Sequence, residues 1–272
     1  MMAAVAAMSV VASTSASAAC TDVTRTAFET AARTAVVETG DFGFGLPMWL
    51  TMVDEVGAVC HVYATDGSST VPIVGPGKKV STSAWLGSRV ISAQKANTAN
   101  AFSINGLALS TGFITALTYE GGSLFGLQHS NPVNPAAAYG AGTSGLAFTN
   151  IIGTNADPLK GQRPGGVNVF GGGVALYKSG AIKIGAIGAS GDTSCRDHAV
   201  AYRMRIALAK NFQPNDDGLK LIPGPALPTA LGEQPACNPE TDPTPYDPGT
   251  TFPLPANAAD FGIRPLPAPP GA

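Results

Sequence analysis

The first regular pattern along the chain, from residue 21, is helical. Val23, Ala27, Ala31 and Ala35 recur at four-residue spacing with Phe28 and Ala32 beside them, which lines one apolar face of a helix. Thr21 or Asp22 is placed to cap its start, and Gly40 to stop it. The period then changes from about four to two. Residues 48–53 and 58–64 are apolar and partly β-branched, and Asp54-Glu55-Val56-Gly57 between them reads as the turn of a hairpin.

Residues 66–79 form a loop by their Gly, Pro and Ser content. Ser81 or Ser83 then starts a second helix, which presents a small-residue face of Ala93, Ala96 and Ala99. A shorter helical segment is expected over 107–117. Residues 121–169 are rich in Gly, Asn and Pro and only weakly periodic. A stretch of this length is expected to serve function or an oligomer contact. Strand pattern returns at 174–177 and 181–187 around a Lys178-Ser179-Gly180 turn, and a last helix is expected over 194–210. From Pro214 the composition shifts, with most of the chain's 22 prolines beyond it. Strands and helices do not alternate regularly, so the pattern predicts an α+β fold with an antiparallel sheet rather than a doubly wound parallel one. The expected organisation is a leader over 1–19, one domain over 20–212, and an extended Pro-rich tail over 213–272.

Composition narrows the setting. Of 272 residues, 44% are hydrophobic and 12% charged, enough apolar material for a core. A net charge of −2 without charge runs argues against a nucleic-acid partner. Residues 3–12 are apolar, and Ala16-Ser17-Ala18 is a small-x-small site of the kind a signal peptidase accepts. The run is too short to span a bilayer, and no Lys or Arg precedes it. The expectation is a secreted or periplasmic protein. The four cysteines, Cys20, Cys60, Cys195 and Cys237, then suggest two disulfides in any of three connectivities.

Several familiar signatures fail on spacing. Gly75 and Gly77 are too close for a phosphate loop, and Lys79 stands where Ser or Thr is needed. Gly185, Gly188 and Gly191 are three apart, which is not GxGxxG. Ser190 lacks the spacing of a hydrolase elbow. His61, His129 and His198 form no His-x-x-x-His pair, and the chain has neither CxxC nor CxxCH.

One constellation does stand out. "GGGVALYKSGAIKIGAIGASGDTSCRDHAVAY" places Gly172 and Gly173, a short hairpin, Gly185, Gly188, Ser190 and Gly191, then Asp197 at a helix start. "SAQKANTANAFS" places Lys95, Ala96 and Ala99, and "TMVDEVGAVCHVYATDG" places Asp54, Gly57, Asp66 and Gly67. In this order the elements resemble the GlcG/HbpS family, the haem-binding-protein-like domain also found at the end of some PduO proteins. The resemblance spans about 22–210. It departs from the family in longer segments over 67–81 and 131–169, in His198 where the family has an acid, and in the Pro-rich tail. It implies a roughly five-stranded antiparallel sheet flanked by helices, a homo-oligomer, and haem or another tetrapyrrole as the small-molecule partner.

Each candidate residue carries two readings. Gly188 and Gly191 let a strand turn into a helix, or they face a haem propionate at the helix N-terminus; Gly172 and Gly173 border the same slot. Asp197 completes a capping box with Ser194, or it is a ligand-facing carboxylate. Lys95 is a solvated surface lysine, or an ammonium that pairs with a carboxylate of the ligand. His129 and His198 are the candidates for an iron ligand, His198 otherwise being an exposed surface residue. His61 is read as solvent-facing, and Trp49 and Trp85 as core. Three function classes follow: a tetrapyrrole-binding protein, a haem-degrading or redox enzyme, and a structural oligomer with an empty pocket.

The leader and cysteine pattern predict a mature chain that starts after Ala18 or Ala19 and has no free thiol. Intact mass before and after reduction with alkylation checks this. Four alkylated cysteines without reduction would overturn it.

Overall fold

The computed structural model describes residues 18–36, 43–65, 84–140, 151–222, 228–235 and 237. Helices α1 (Ala18–Asp22) and α2 (Arg25–Val36) precede the hairpin of β1 (Trp49–Asp54) and β2 (Val59–Ala64). The Asp54 carboxylate closes that turn by accepting the N–H groups of Val56 (2.9 Å) and Ala58 (2.8 Å). Helix α3 (Gly87–Phe102) follows, then a 3-10 turn (Thr115–Thr118) and two short helices, α4 (Leu127–Ser130) and α5 (Pro135–Tyr139). A second hairpin, β3 (Gly173–Lys178) and β4 (Ile182–Ser190), leads into α6 (Ser194–Ala207). Two short strands, β5 (Lys220–Ile222) and β6 (Glu233–Pro235), are the last of these elements.

The fold is α+β, with four antiparallel strands in the order β2-β1-β4-β3. The remaining two strands form a separate parallel pair instead of extending the main sheet. Side-chain alternation gives the main sheet two apolar faces. Leu50, Met52, Val174 and Ile187 pack under α2 and α6 through Phe28, Ala32, Val200 and Met204. Trp49, Val53, Ala175 and Ala186 pack under α3 through Ala93, Ala96 and Ala99. The small-residue face read from the sequence thus lets α3 lie close to the sheet.

That closeness depends on one row of the sheet. Thr51, Gly188 and Gly173 pair side by side across three strands. The Thr51 and Ser92 hydroxyls bond at 2.7 Å. A Cβ on Gly188 would lie 2.0 Å from the Ser92 carbonyl oxygen, and one on Gly173 would lie 2.4 Å from that of Lys95. The α3 backbone therefore rests directly on these two glycines.

Several local expectations change. Thr24 caps α2, accepting the Ala27 N–H at 3.2 Å; Gly40, Ser81 and Ser83 lie outside the described residues. The segment 107–117 forms no α-helix, only its end entering the 3-10 turn, and two of its hydroxyls reach carbonyls of distant segments. Ser110 donates to the Asp217 carbonyl and Thr111 to that of Phe170. Helix α6 ends at Ala207, with Ala209 in the left-handed region (φ 52°). Trp49 is core, but Trp85 is exposed. His61 is buried, because the α1–α2 connection covers it and the Val23 carbonyl bonds its Nε2 at 2.8 Å.

The disulfides are Cys20–Cys60 and Cys195–Cys237. The first ties α1 to β2. The second ties the start of α6 to the residues after β6. The stretch from Gln213 begins as part of the packed body: Asp217 is fully buried and holds the Arg205 guanidinium through both oxygens, at 2.7 and 2.9 Å. Residues 238–272 lie outside the described residues.

Gly188→Ala is expected to lower the unfolding free energy by about 3 kcal/mol or more, since the α3 backbone at Ser92 and Ala96 blocks the added methyl. Gly87→Ala, at a helical position with nothing within 4 Å of the added atom, should be neutral or slightly stabilising. Urea unfolding of both variants checks the pair. Equal effects would overturn the role of Gly188.

Candidate functional site

Lys95 lies on α3, on one side of the sheet, and Asp197 on α6, on the other. Their side chains nonetheless meet, Nζ to Oδ2, at 2.6 Å, and both are almost fully buried. The glycines make this crossing. A Cβ on Gly172 would touch both Lys95 Cδ and Asp197 Cβ at 3.0 Å, and one on Gly188 would lie 3.1 Å from Lys95 Cβ. Bare backbone at the edge of the sheet leaves a passage just wide enough for the lysine stem. Asp197 Oδ1 accepts the Asp192 N–H at 3.0 Å. Burial pushes the Asp197 carboxyl up and the Lys95 ammonium down from their ordinary ranges, and each charge opposes the other's shift.

The turn before β3 is held from two sides. Thr111 accepts the Gly173 N–H (2.9 Å) and donates to the Phe170 carbonyl (2.8 Å). Gln234 Oε1 accepts the Gly171 N–H at 3.0 Å. Phe170, partly exposed, lies with its ring 4.8 Å from Lys95 Nζ, a cation–π contact. Gly191, where β4 leaves the sheet, adopts a φ of 142° and its added Cβ would strike the Pro47 carbonyl at 2.4 Å. The next residue, Asp192, accepts the N–H groups of Phe44 and Leu46, each at 2.8 Å.

His198 sits one turn into α6 and is buried, with neither ring nitrogen hydrogen-bonded. Burial, the largest cause, lowers its pKa to about 3, so the imidazole is neutral at pH 7. It is therefore not a surface residue. His129 is exposed on α4, beside a cavity of about 300 Å³ walled by Tyr119, Leu127, Val169 and Phe170. Among the described residues no group of three or more His, Cys, Asp or Glu is placed to hold a metal ion.

The structure thus gathers Lys95, Gly172, Gly173, Gly188, Asp197 and His198 into one buried junction. Gly191 lies at its rim, while His129 shares with it only the wall formed by Phe170. Asp197 does not form a capping box: Thr193 caps α6, accepting the Arg196 N–H at 3.3 Å, because the carboxylate is drawn inward to Lys95. Phe170, Thr111 and Gln234 were not singled out by the sequence. Phe170 directly precedes the glycine run, the only local signal; Thr111 and Gln234 come from distant segments.

The unfolded His198 imidazole takes a proton below its ordinary value of 6.5, the native one only near 3. Stability tied to this residue is thus present above 6.5 and lost as pH falls towards 3. In urea unfolding, the advantage of His198→Phe over wild type should grow by about 2 kcal/mol between pH 7 and 4.5. An unchanged difference would place a solvated or protonated imidazole there instead.

Residues 78–204 match the model of a family described as haem degrading protein HbpS-like. Comparison with curated proteins gives no match. Among solved structures, Klebsiella pneumoniae protein ORFY, of family DUF336, is 20% identical, with 70% of this chain and 88% of that one covered and a TM-score of 0.40. A complex of PduOC with haem is 22% identical, with 68% and 94% covered and a TM-score of 0.42. The matched residues run from before α3 into α6 and include every candidate ligand-binding and iron-ligating residue named from the sequence. The chain thus resembles the HbpS-like family over 78–204, the segment that builds both the Lys95–Asp197 junction and the His129 cavity.

Proposed function

We propose that the protein binds haem outside the cytoplasm, in the cavity beside α4, with His129 as the iron ligand. The observation that carries this reading is that an accessible imidazole and an aromatic-walled cavity coincide within the HbpS-like segment. An iron porphyrin calls for a nitrogen ligand at the edge of an apolar slot. The donor set fits: the His129 imidazole makes no hydrogen bond among the described residues, and Tyr119, Leu127, Val169 and Phe170 supply the apolar wall. At about 300 Å³ the cavity is at the small end for a ligand site, and suits the edge of a planar ring. Bound haem would supply redox chemistry at its iron; the chain's part is to bind and orient it.

The junction takes a supporting role in this reading. Lys95 is committed to Asp197 and positions Phe170 by the cation–π contact. The glycines seat α3 and admit the lysine stem. His198, whose nitrogens are buried, is the weaker ligand candidate. Export is supported by the leader pattern and by two disulfides with no free cysteine. Among the described residues no helix is long and apolar enough to cross a membrane. Assembly into a homo-oligomer belongs to the same reading, with the exposed Phe125 beside the cavity as surface for a second copy.

Haemin titration followed by visible absorption tests the proposal. Wild type is expected to shift the Soret band away from that of free haemin. His129→Ala should weaken binding by about tenfold or more, while His198→Phe leaves the spectrum unchanged. A wild-type spectrum identical to free haemin would overturn binding. A wild-type-like His129→Ala would overturn the ligand assignment. Product analysis after adding a reductant separates binding from breakdown of the ring.

A further inference from the structure

The two disulfides lie in opposite chemical settings. Cys20–Cys60 packs into the apolar layer between the sheet and α2. Among the described residues no hydrogen-bond donor reaches either of its sulfurs. Cys195–Cys237 lies at the start of α6, a helix of 14 residues. There the Cys237 sulfur receives the Cys195 N–H at 3.1 Å and the Ser194 hydroxyl at 3.3 Å. The Gln234 amide approaches it at 3.9 Å and the Cys195 sulfur at 3.5 Å. Donors converging on a sulfur at a helix N-terminus stabilise a thiolate. A disulfide whose reduced form is stabilised in this way is the more readily reduced.

Its mechanical position adds a consequence. Gln234, three residues before Cys237, holds the Gly171 N–H, and the neighbouring Phe170 covers Lys95. The disulfide therefore fastens the strand whose side chain fixes the Phe170–Gly173 turn.

We propose that Cys195–Cys237 is a thiol–disulfide exchange site that takes a dithiol reductant and acts as a redox clasp on the Phe170–Gly173 turn. Cys195 is buried and Cys237 half-buried, so the incoming thiolate attacks the Cys237 sulfur. The Cys195–Cys237 bond breaks, and Cys195 leaves as a thiolate and takes the proton of the reductant's second thiol. That second sulfur, now a thiolate, attacks its partner in the mixed disulfide and expels Cys237 as a thiolate onto its waiting donors. The dithiol is oxidised by two electrons to its own disulfide, and the protein disulfide is reduced to one thiol and one thiolate. The turn that the clasp holds carries Phe170 to the wall of the cavity proposed for haem, but the clasp's chemistry is tested without haem.

The mature protein is equilibrated, without denaturant, in graded mixtures of reduced and oxidised dithiothreitol. It is then alkylated, and each cysteine pair is read by peptide mass spectrometry. Cys195–Cys237 is expected to open first, with Cys20–Cys60 still closed where the clasp is half reduced. Ser194→Ala, which removes one donor to the thiolate, should shift the clasp about tenfold towards the oxidised form. Hydrogen exchange should rise over 168–176 and 228–237 on reduction, while β1 and β2 stay protected. The Cys195→Ser/Cys237→Ser variant should reproduce that exchange pattern without reductant. Both pairs opening together, or Cys20–Cys60 opening first, would overturn the exchange site. Unchanged exchange over 168–176 once the clasp is reduced would overturn the clasp.

Discussion

Much of this molecule is arranged around the ion pair between Lys95 and Asp197. It joins helices on opposite sides of the sheet, so neither partner can be placed without the other layer. Buried charges of this kind are costly unless paired and hydrogen-bonded. Here the Asp192 N–H satisfies the second carboxylate oxygen and Phe170 covers the ammonium. Removing either partner would strand a charge where no water compensates it.

The glycines follow from that constraint. Gly173 and Gly188 carry the α3 backbone, Gly172 leaves room for the lysine stem, and Gly191 turns β4 out of the sheet towards α6. A motif that resembles a ligand-binding loop is thus also the packing device that lets two layers communicate. The two roles are compatible, since the same turn carries Phe170 to the wall of the His129 cavity. That wall residue sits on a turn held by Thr111 from one side and Gln234 from the other. The second hold is fastened in turn by a disulfide.

Part of the chemistry lies where local pattern carries no information. Arg205–Asp217 and Arg89–Asp157 are buried pairs between segments 12 and 68 residues apart. The first packs the residues after Gln213 against α6. The second draws the segment around Asp157 onto α3, and Arg89 also donates to the Ala138 carbonyl. A Pro-rich composition reads as extended chain, yet a buried Asp217 and a Cys237 bridge need only a few side chains to anchor it.

Residue pattern alone determined the α+β class, both hairpins with their turns, the alanine face of α3 and the resemblance to the HbpS-like family. These rest on period, turn chemistry and motif order, which are properties of neighbouring residues. Only the tertiary structure decided that Lys95 and Asp197 face each other, that His198 is buried and His61 covered, that Thr193 rather than Ser194 caps α6, and which cysteines pair. Each of these depends on which segments are brought into contact across the layers. A lysine on a helix has the same local sequence whether it meets water or a carboxylate 102 residues away; the glycine gap at the sheet edge makes the second arrangement the one that folds.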